Sequence, residues 1–304
     1  MSTRLAIIVG LLVAVSASAS GQQAPAPPPV VKRVAPAADV AALVAKARQN
    51  RKEGEGIIQQ RLLELGPYKA NIEYRASVAP AMVHEHDAEF IYVLDGAGTF
   101  VMGGQLTGET RTPQSLSGTG IEGGTSQHLA KGDAVMVHEG TPHWYSAIDS
   151  TMVLMTIHLP RPSPDADRDP AGKIHVSSAD VAGIIARARS ERKDGQANVT
   201  EPMLALAPYA ANIEYRVAAG PPLVHERGAE LLYVIDGSAT FVMGGTLANE
   251  KRANATTLSG TGIDGGASQH LATGDFVLVP EGTPHGFTGV DGAIALVALH
   301  LPRS

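Results

Sequence analysis

Residues 274–285 read GDFVLVPEGTPH, and residues 132–143 read GDAVMVHEGTPH. In each segment, four apolar residues are followed by a glycine-containing turn and a closing histidine. A short apolar run bounded by turn residues is typical of a buried strand. The two segments lie 142 residues apart, so we predict that the chain contains the same structural unit twice.

The repeat extends well beyond these segments. NIEYR begins at Asn71 and again at Asn212, and FVMGG begins at Phe100 and again at Phe241, both at an offset of 141 residues. A constant offset over most of the chain predicts two copies of one domain rather than a solenoid of short units. We place the domains at residues 37–161 and 174–304, with a Pro- and Asp-rich linker at 162–173.

Each copy starts with a helical pattern and continues with strand patterns. Residues 40–52 and 181–193 show the apolar spacing of one helical face, and we expect Asp39 and Asp180 to be the N-caps. Short apolar-alternating runs between Gly, Asn and Pro residues follow. Because strands and helices do not alternate, we predict an all-β sandwich or barrel in each copy, preceded by a short helix.

The first residues have the pattern of a targeting segment. Residues 5–15 are apolar, and Ala17-Ser18-Ala19 has the small-x-small form of a signal-peptidase site. Eleven apolar residues are too few to span about 30 Å of hydrocarbon. We therefore predict a signal peptide at 1–19, a Pro/Ala-rich leader at 20–36, a periplasmic or secreted location, and no membrane segment in the mature protein.

Composition narrows the possible functions. The chain has 304 residues, a formal net charge of −6 and no cysteine. The negative charge argues against a nucleic-acid partner, because phosphate binding requires a basic surface. Without cysteine there are no disulfides and no thiolate metal ligands. The sequence leaves open whether two chains pair as a homodimer.

Histidines and glutamates cluster around the repeated motifs. In copy one, His84, His86 and Glu89 precede a predicted strand that ends at Gly96, and His143 closes the segment quoted above. The corresponding residues of copy two are His225, Arg227, Glu230, Gly237 and His285.

These motifs resemble those of the cupin superfamily. The first cupin motif ends with Glu, six residues and Gly, as in Glu89 to Gly96 and in Glu230 to Gly237. The second motif is Gly, five residues, Pro, any residue, Gly, two residues and His, which residues 274–285 fit fully. Residues 132–143 fit it except that His138 replaces Pro. The resemblance implies two tandem cupin barrels of the double-stranded β-helix or jelly-roll type, a bicupin.

The same residues predict metal binding. Two imidazoles and one carboxylate on neighbouring strands suit a divalent transition metal such as Mn, Fe, Zn, Ni or Cu. We predict ligands His84, Glu89 and His143 in copy one, and His225, Glu230 and His285 in copy two. In this alignment Met82 and Leu223 replace the first histidine of the cupin motif, and His86 is a further candidate ligand if the strand register differs.

Other residues are candidates for binding a substrate. Asn71, Glu73 and Arg75 alternate along a predicted strand and share one face, as do their counterparts in copy two. If that face points inward, Arg75 and Arg216 can bind a carboxylate; if it points outward, they are solvated. His158 and His300, at the end of each copy, either line the pocket or lie at the surface.

Two functions are consistent with this pattern. The first is a metal-dependent enzyme, an oxidoreductase or lyase, acting on a small organic acid or oxygenated metabolite. The alternative is a non-catalytic cupin that binds or senses a small molecule. A glycine-rich stretch between Gly103 and Gly124 lacks the Gly-Lys-Ser/Thr of a phosphate-binding loop, so we predict an inter-strand excursion near the barrel mouth.

Overall fold

The computed structural model describes residues 32–112, 115–161 and 173–303. The predicted signal peptide, most of the leader and nearly all of the linker lie outside the described residues. The elements up to residue 160 are β1 (Val34–Ala35), α1 (Ala37–Asn50), β2 (Ile57–Leu65), β3 (Tyr68–Arg75), β4 (Ala81–His84), β5 (Asp87–Met102), β6 (Gln105–Thr107), β7 (Thr110–Arg111), β8 (Ser115–Gly118), β9 (Gly120–Glu122), β10 (Thr125–Ala130), β11 (Ala134–Val137) and β12 (His143–Pro160). The remaining elements are β13 (His175–Val176), α2 (Ser178–Glu191), β14 (Asn198–Leu206), β15 (Tyr209–Arg216), β16 (Leu223–His225), β17 (Gly228–Met243), β18 (Thr246–Ala248), β19 (Lys251–Asn254), β20 (Thr257–Ser259), β21 (Gly262–Asp264), β22 (Ala267–Ala272), β23 (Phe276–Val279) and β24 (His285–Pro302).

The all-β prediction is confirmed. The strands of each copy join into a ten-stranded antiparallel sheet that closes around its own apolar interior, with one helix before each barrel. Pairs β6–β9 and β18–β21 form two-stranded hairpins in the glycine-rich excursions. Within the described ranges, no helix is long and apolar enough to cross a membrane.

The prediction for the helix N-caps is wrong. The N-caps are Pro36 and Ser177, and Asp39 and Asp180 lie in the first helical turns. In α2 the Ser177 hydroxyl accepts a hydrogen bond from the Asp180 N–H, and the Asp180 carboxylate accepts one from the Ser177 N–H. This capping box explains the misassignment, because an acidic residue favours the helix N-terminus at the third position as well as at the cap.

Each copy contributes its first strand to the other copy. Strand β1 pairs with β23 of the second barrel, and β13 pairs with β11 of the first. Hydrogen bonds to two aspartates secure the exchange: Asp275 accepts from the Ala37 N–H at 2.8 Å, and Asp133 accepts from the Ser178 N–H at 2.6 Å. The two barrels are therefore interlocked through their first strands.

Strand β5 is buried on both faces, which fixes the direction of its side chains. Glu89, Ile91 and Val93 alternate along one face, and the two apolar residues pack into the interior of the first barrel. Phe90 and Tyr92 point the other way, into a core shared by both barrels and both helices. Strand β17 repeats this arrangement in the second barrel.

Long strands β5 and β12 pair along their whole length, from His143 opposite Met102 to His158 opposite Glu89. Register shifts between Tyr145 and Leu154 bend this pair. The predicted strand end at Gly96 is wrong, because β5 continues through it. Gly96 lies at the bend with φ +81°, where a Cβ would approach the Thr151 carbonyl oxygen to 2.1 Å, so no side chain fits.

Candidate metal centres

Three ligand-type side chains converge inside the first barrel. His84 lies at the end of β4, Glu89 near the start of β5 and His143 at the start of β12. Both histidines face the same carboxylate oxygen: Glu89 Oε2 is 3.4 Å from His143 Nε2 and 3.8 Å from His84 Nε2. The three residues thus form a compact cluster.

A backbone contact fixes the tautomer of His143. Its Nδ1 lies 3.1 Å from the Thr141 carbonyl oxygen. Because a carbonyl only accepts, Nδ1 carries the proton and Nε2 keeps its lone pair toward the cluster. Hydrogen bonds of this kind orient metal-binding histidines. Thr141 belongs to the EGTPH motif, so the sequence encodes the supporting contact together with the ligand.

Burial controls the protonation of this cluster. It lowers the pKa of His84 to about 3, with a further contribution from His143. It likewise lowers the pKa of His143 to about 4. Burial, reinforced by the neighbouring Glu73 carboxylate, raises the pKa of Glu89 to about 8. Both imidazoles are therefore neutral at pH 7, which is the form that binds metal.

The second barrel repeats the cluster with His225, Glu230 and His285. His285 Nε2 lies 3.6 Å from Glu230 Oε2, and His285 Nδ1 donates to the Thr283 carbonyl oxygen at 2.9 Å. Burial lowers the pKa of His225. Although burial acts to raise the pKa of Glu230, the hydrogen bond and charge of His285 lower it.

Both clusters fit a divalent transition metal. Ligands about 2.1 Å from one ion lie roughly 3.0–3.5 Å from each other, close to the donor distances in both barrels. Two neutral imidazoles and one carboxylate provide the nitrogen and oxygen donors that such ions accept. Three protein ligands leave further coordination positions for water or a substrate.

His86 lies outside the first cluster. It is exposed at the bend between β4 and β5, and its carbonyl oxygen accepts a hydrogen bond from the Arg161 N–H. Arg227 occupies the same place in copy two, where its carbonyl oxygen accepts from the Arg303 N–H. The structure therefore does not bring the His86 side chain to the other ligands.

The first cluster opens into a cavity of about 510 Å³. Its walls are built from β2, β3, β4, β12 and the glycine-rich excursion. The lining residues are Ile57, Gln59, Glu73, Arg75, Ala79, Pro80, Met82, His84, Glu89, Thr112, Ser117, His143, Trp144, Tyr145 and His158. Thr112 and Ser117 place the excursion at the cavity, as predicted. A cavity of this size suits a small organic ligand.

Arg75 points into this cavity but is already paired. Its guanidinium bonds Glu73 at 2.9 Å, and Gln59 donates to the other carboxylate oxygen at 3.1 Å. The guanidinium also lies 4.5 Å from the centre of the Tyr145 ring. The inward alternative for this strand face therefore describes the structure, and the same Arg–Glu pair recurs at Arg216 and Glu214, 2.7 Å apart.

The terminal histidines differ between the copies. His158 lines the first cavity, with its ring 4.4 Å from that of His84 and its Nδ1 3.8 Å from Asp87 Oδ2. In copy two Gly228 replaces Asp87, and the His300 ring lies directly against that glycine. His300 does not line the second cavity.

The aromatic wall of the first cavity was not predicted from sequence. Trp144 and Tyr145 directly follow His143, and the Trp144 indole N–H donates to the Ala79 carbonyl oxygen at 2.8 Å. Their counterparts in copy two are Gly286 and Phe287. This break in an otherwise close repeat was the available signal.

Solved structures share this arrangement of two barrels. A cupin 2 conserved barrel domain protein from Leptotrichia buccalis matches with a TM-score of 0.53 and 13% identity, over 86% of this chain and 95% of its own. The protein has a bicupin fold. Salicylate 1,2-dioxygenase from Pseudaminobacter salicylatoxidans, another structure similar to this bicupin, matches with a TM-score of 0.60 and 12% identity, over 90% of this chain and 86% of its own.

A mutant of that dioxygenase in complex with gentisate also resembles this bicupin, with a TM-score of 0.58 and 12% identity, over 90% of this chain and 84% of its own. No protein-family model and no curated protein matches the sequence. At these identities the likeness establishes the bicupin fold and leaves its chemistry to the site itself.

Proposed function

We propose that this bicupin is an exported, metal-dependent enzyme whose first barrel acts on a small organic acid or oxygenated metabolite. The observation that carries the proposal is the continuity between the His84, Glu89 and His143 cluster and a cavity of about 510 Å³. The signal-peptide pattern at residues 1–19 supports export.

Charge in the first cavity favours an anionic ligand. Arg75 and Glu73 balance each other, so the net charge at the site comes from the cluster. A divalent ion with one carboxylate ligand leaves one positive charge facing the cavity. A monoanionic acid matches that charge, and Met82, Ile57 and Trp144 offer apolar surface to its carbon skeleton.

The chemistry divides between the metal and the chain. A divalent metal bound there polarises a substrate oxygen as a Lewis acid. Glu89 and the two histidines hold the ion, and the walls orient the substrate. The fixed Trp144 indole limits how far a ligand can tilt. The gentisate complex of a structure with this fold makes aromatic hydroxy acids the first compounds to test.

Metal content tests the first part of the proposal. Elemental mass spectrometry on the mature protein, purified without chelators or a His tag, should find close to one ion per intact cluster. His143→Ala should abolish the ion of the first barrel, and His285→Ala that of the second. Absence of metal from the wild type, even after reloading with Mn, Fe, Zn, Ni and Cu, would overturn the proposal.

Turnover tests the second part. The metal-loaded protein is incubated with gentisate, salicylate and small aliphatic hydroxy and keto acids, and dioxygen uptake and product masses are followed. We expect turnover that is lost in His143→Ala and upon chelation, and retained in His128→Ala, an exposed residue paired with Asp149. Binding of these acids without turnover would favour the non-catalytic alternative.

A further inference from the structure

The second barrel has almost no room beside its cluster. The cavity lined by His225, Glu230 and His285 has a volume of about 30 Å³, against about 510 Å³ in the first barrel. One water molecule needs at least roughly 10–15 Å³. The second cavity therefore accommodates one or two water molecules, and a small organic acid does not fit.

One substituted pair accounts for a missing wall. Copy one has Ala81 and Trp144, whereas copy two has Pro222 and Gly286 at the same positions. Pro222 is buried and packs directly on Gly286, where an added Cβ would meet the proline ring at 3.0 Å. The proline ring thus closes against the backbone at the position from which Trp144 frames the first cavity.

The ligands of the second barrel are nonetheless well supported. Nδ1 of His285 is held by the Thr283 carbonyl oxygen, and Nδ1 of His225 lies 3.4 Å from the Thr257 hydroxyl. Contacts on Nδ1 leave Nε2 of each ring for metal. The second barrel has therefore kept a complete ligand set while losing the space for a substrate.

We propose that the second barrel is a metal-only site. Its cation is held by His225, Glu230 and His285, completes its coordination with water and binds no organic substrate. Closed sites of this kind are structural, whereas catalytic sites keep a position open to substrate. This inference rests on the proposed function for its metal, and it assigns all substrate binding to the first barrel.

Cobalt(II) provides a test that does not depend on turnover, because its visible spectrum reports changes in its ligands. The full chain is loaded with Co²⁺ as His285→Ala, which keeps only the first cluster, and as His143→Ala, which keeps only the second. Each variant is titrated with acetohydroxamate and with salicylate. The spectrum should shift in His285→Ala and stay unchanged in His143→Ala up to millimolar probe.

The possible results separate this inference from the proposed function. A spectral shift in His143→Ala, or no cobalt bound by it, overturns the metal-only site. Failure of His285→Ala to bind cobalt overturns the proposed function and leaves the second barrel testable. Circular dichroism establishes folding, and His84→Ala and His225→Ala replace either variant that does not fold.

Discussion

Tyr92 of the first barrel and Tyr233 of the second pack edge to face, with their ring centroids 5.0 Å apart. Each ring belongs to the strand that carries the glutamate of its metal cluster, three residues earlier at Glu89 or Glu230. The contact between the barrels and the two metal sites therefore share the same pair of strands, β5 and β17.

This contact predicts that the barrels unfold together. Tyr92→Ala should lower the free energy of unfolding by about 3–5 kcal/mol, because it leaves a cavity in the shared core. Chemical denaturation followed by circular dichroism and by tryptophan fluorescence, which reports Trp144 of the first barrel, should give one coincident transition. Tyr92→Phe, which keeps the ring, is the control and should change stability little. Two separate transitions in the wild type would contradict the shared core.

The buried Arg75–Glu73 pair predicts a large effect from removing one partner. Arg75→Ala should lower the free energy of unfolding by about 3–5 kcal/mol, because it leaves the Glu73 carboxylate buried without a cation. The double variant Glu73→Gln/Arg75→Met should recover most of that loss. Arg252→Ala, in the exposed pair with Glu226, is the matched control and should have no measurable effect. Equal stability of Arg75→Ala and wild type in urea titrations would show that the pair does not contribute.

Metal binding in the first barrel should release a proton. The pKa of Glu89 is raised to about 8, so the metal-free carboxyl is mostly protonated at pH 7 and must ionise to bind metal. His84 and His143, whose pKa values are lowered to about 3 and 4, are already neutral and release none. Zinc affinity of His285→Ala should therefore rise about tenfold per pH unit from pH 6 until it levels off near pH 8.

Calorimetry in two buffers of different ionisation enthalpy measures the released proton directly. His143→Ala, which keeps only the second cluster, is the control. The pKa of Glu230 is lowered by His285 despite its burial, so zinc binding there should release no proton from this carboxyl. Equal proton release by the two variants would refute the predicted difference between the barrels.

The capping box of α2 predicts a smaller effect. Ser177→Ala should lower the free energy of unfolding by about 1 kcal/mol, because the Asp180 N–H loses its acceptor. Ser177→Asp supplies another acceptor and should retain stability. Helix α1 has Pro36 at its cap and makes no side-chain cap hydrogen bond, so Pro36→Ala is the matched comparison and should change stability less. A loss in Pro36→Ala as large as that in Ser177→Ala would argue against the cap.

Sequence alone predicted the duplicated all-β architecture, because the apolar runs and turn glycines recur in both copies. It also singled out His84, Glu89 and His143, since a motif that fixes residue spacing on paired strands also fixes which side chains converge. It failed at Asp39 and Asp180, because first-turn and cap positions both favour acidic residues. His86 was ambiguous, because a one-residue change of register reverses the direction of a side chain.

The sequence by itself determined the two barrels and their two ligand sets, because local periodicity and short spacings encode both. Only the tertiary structure decided that the first strand of each copy pairs with the other barrel, since strand pairing between distant segments leaves no local pattern. It also decided that one cavity is open and the other nearly filled. That difference depends on how Pro222 packs on Gly286, and such a contact between residues distant in sequence appears only when the chain is folded.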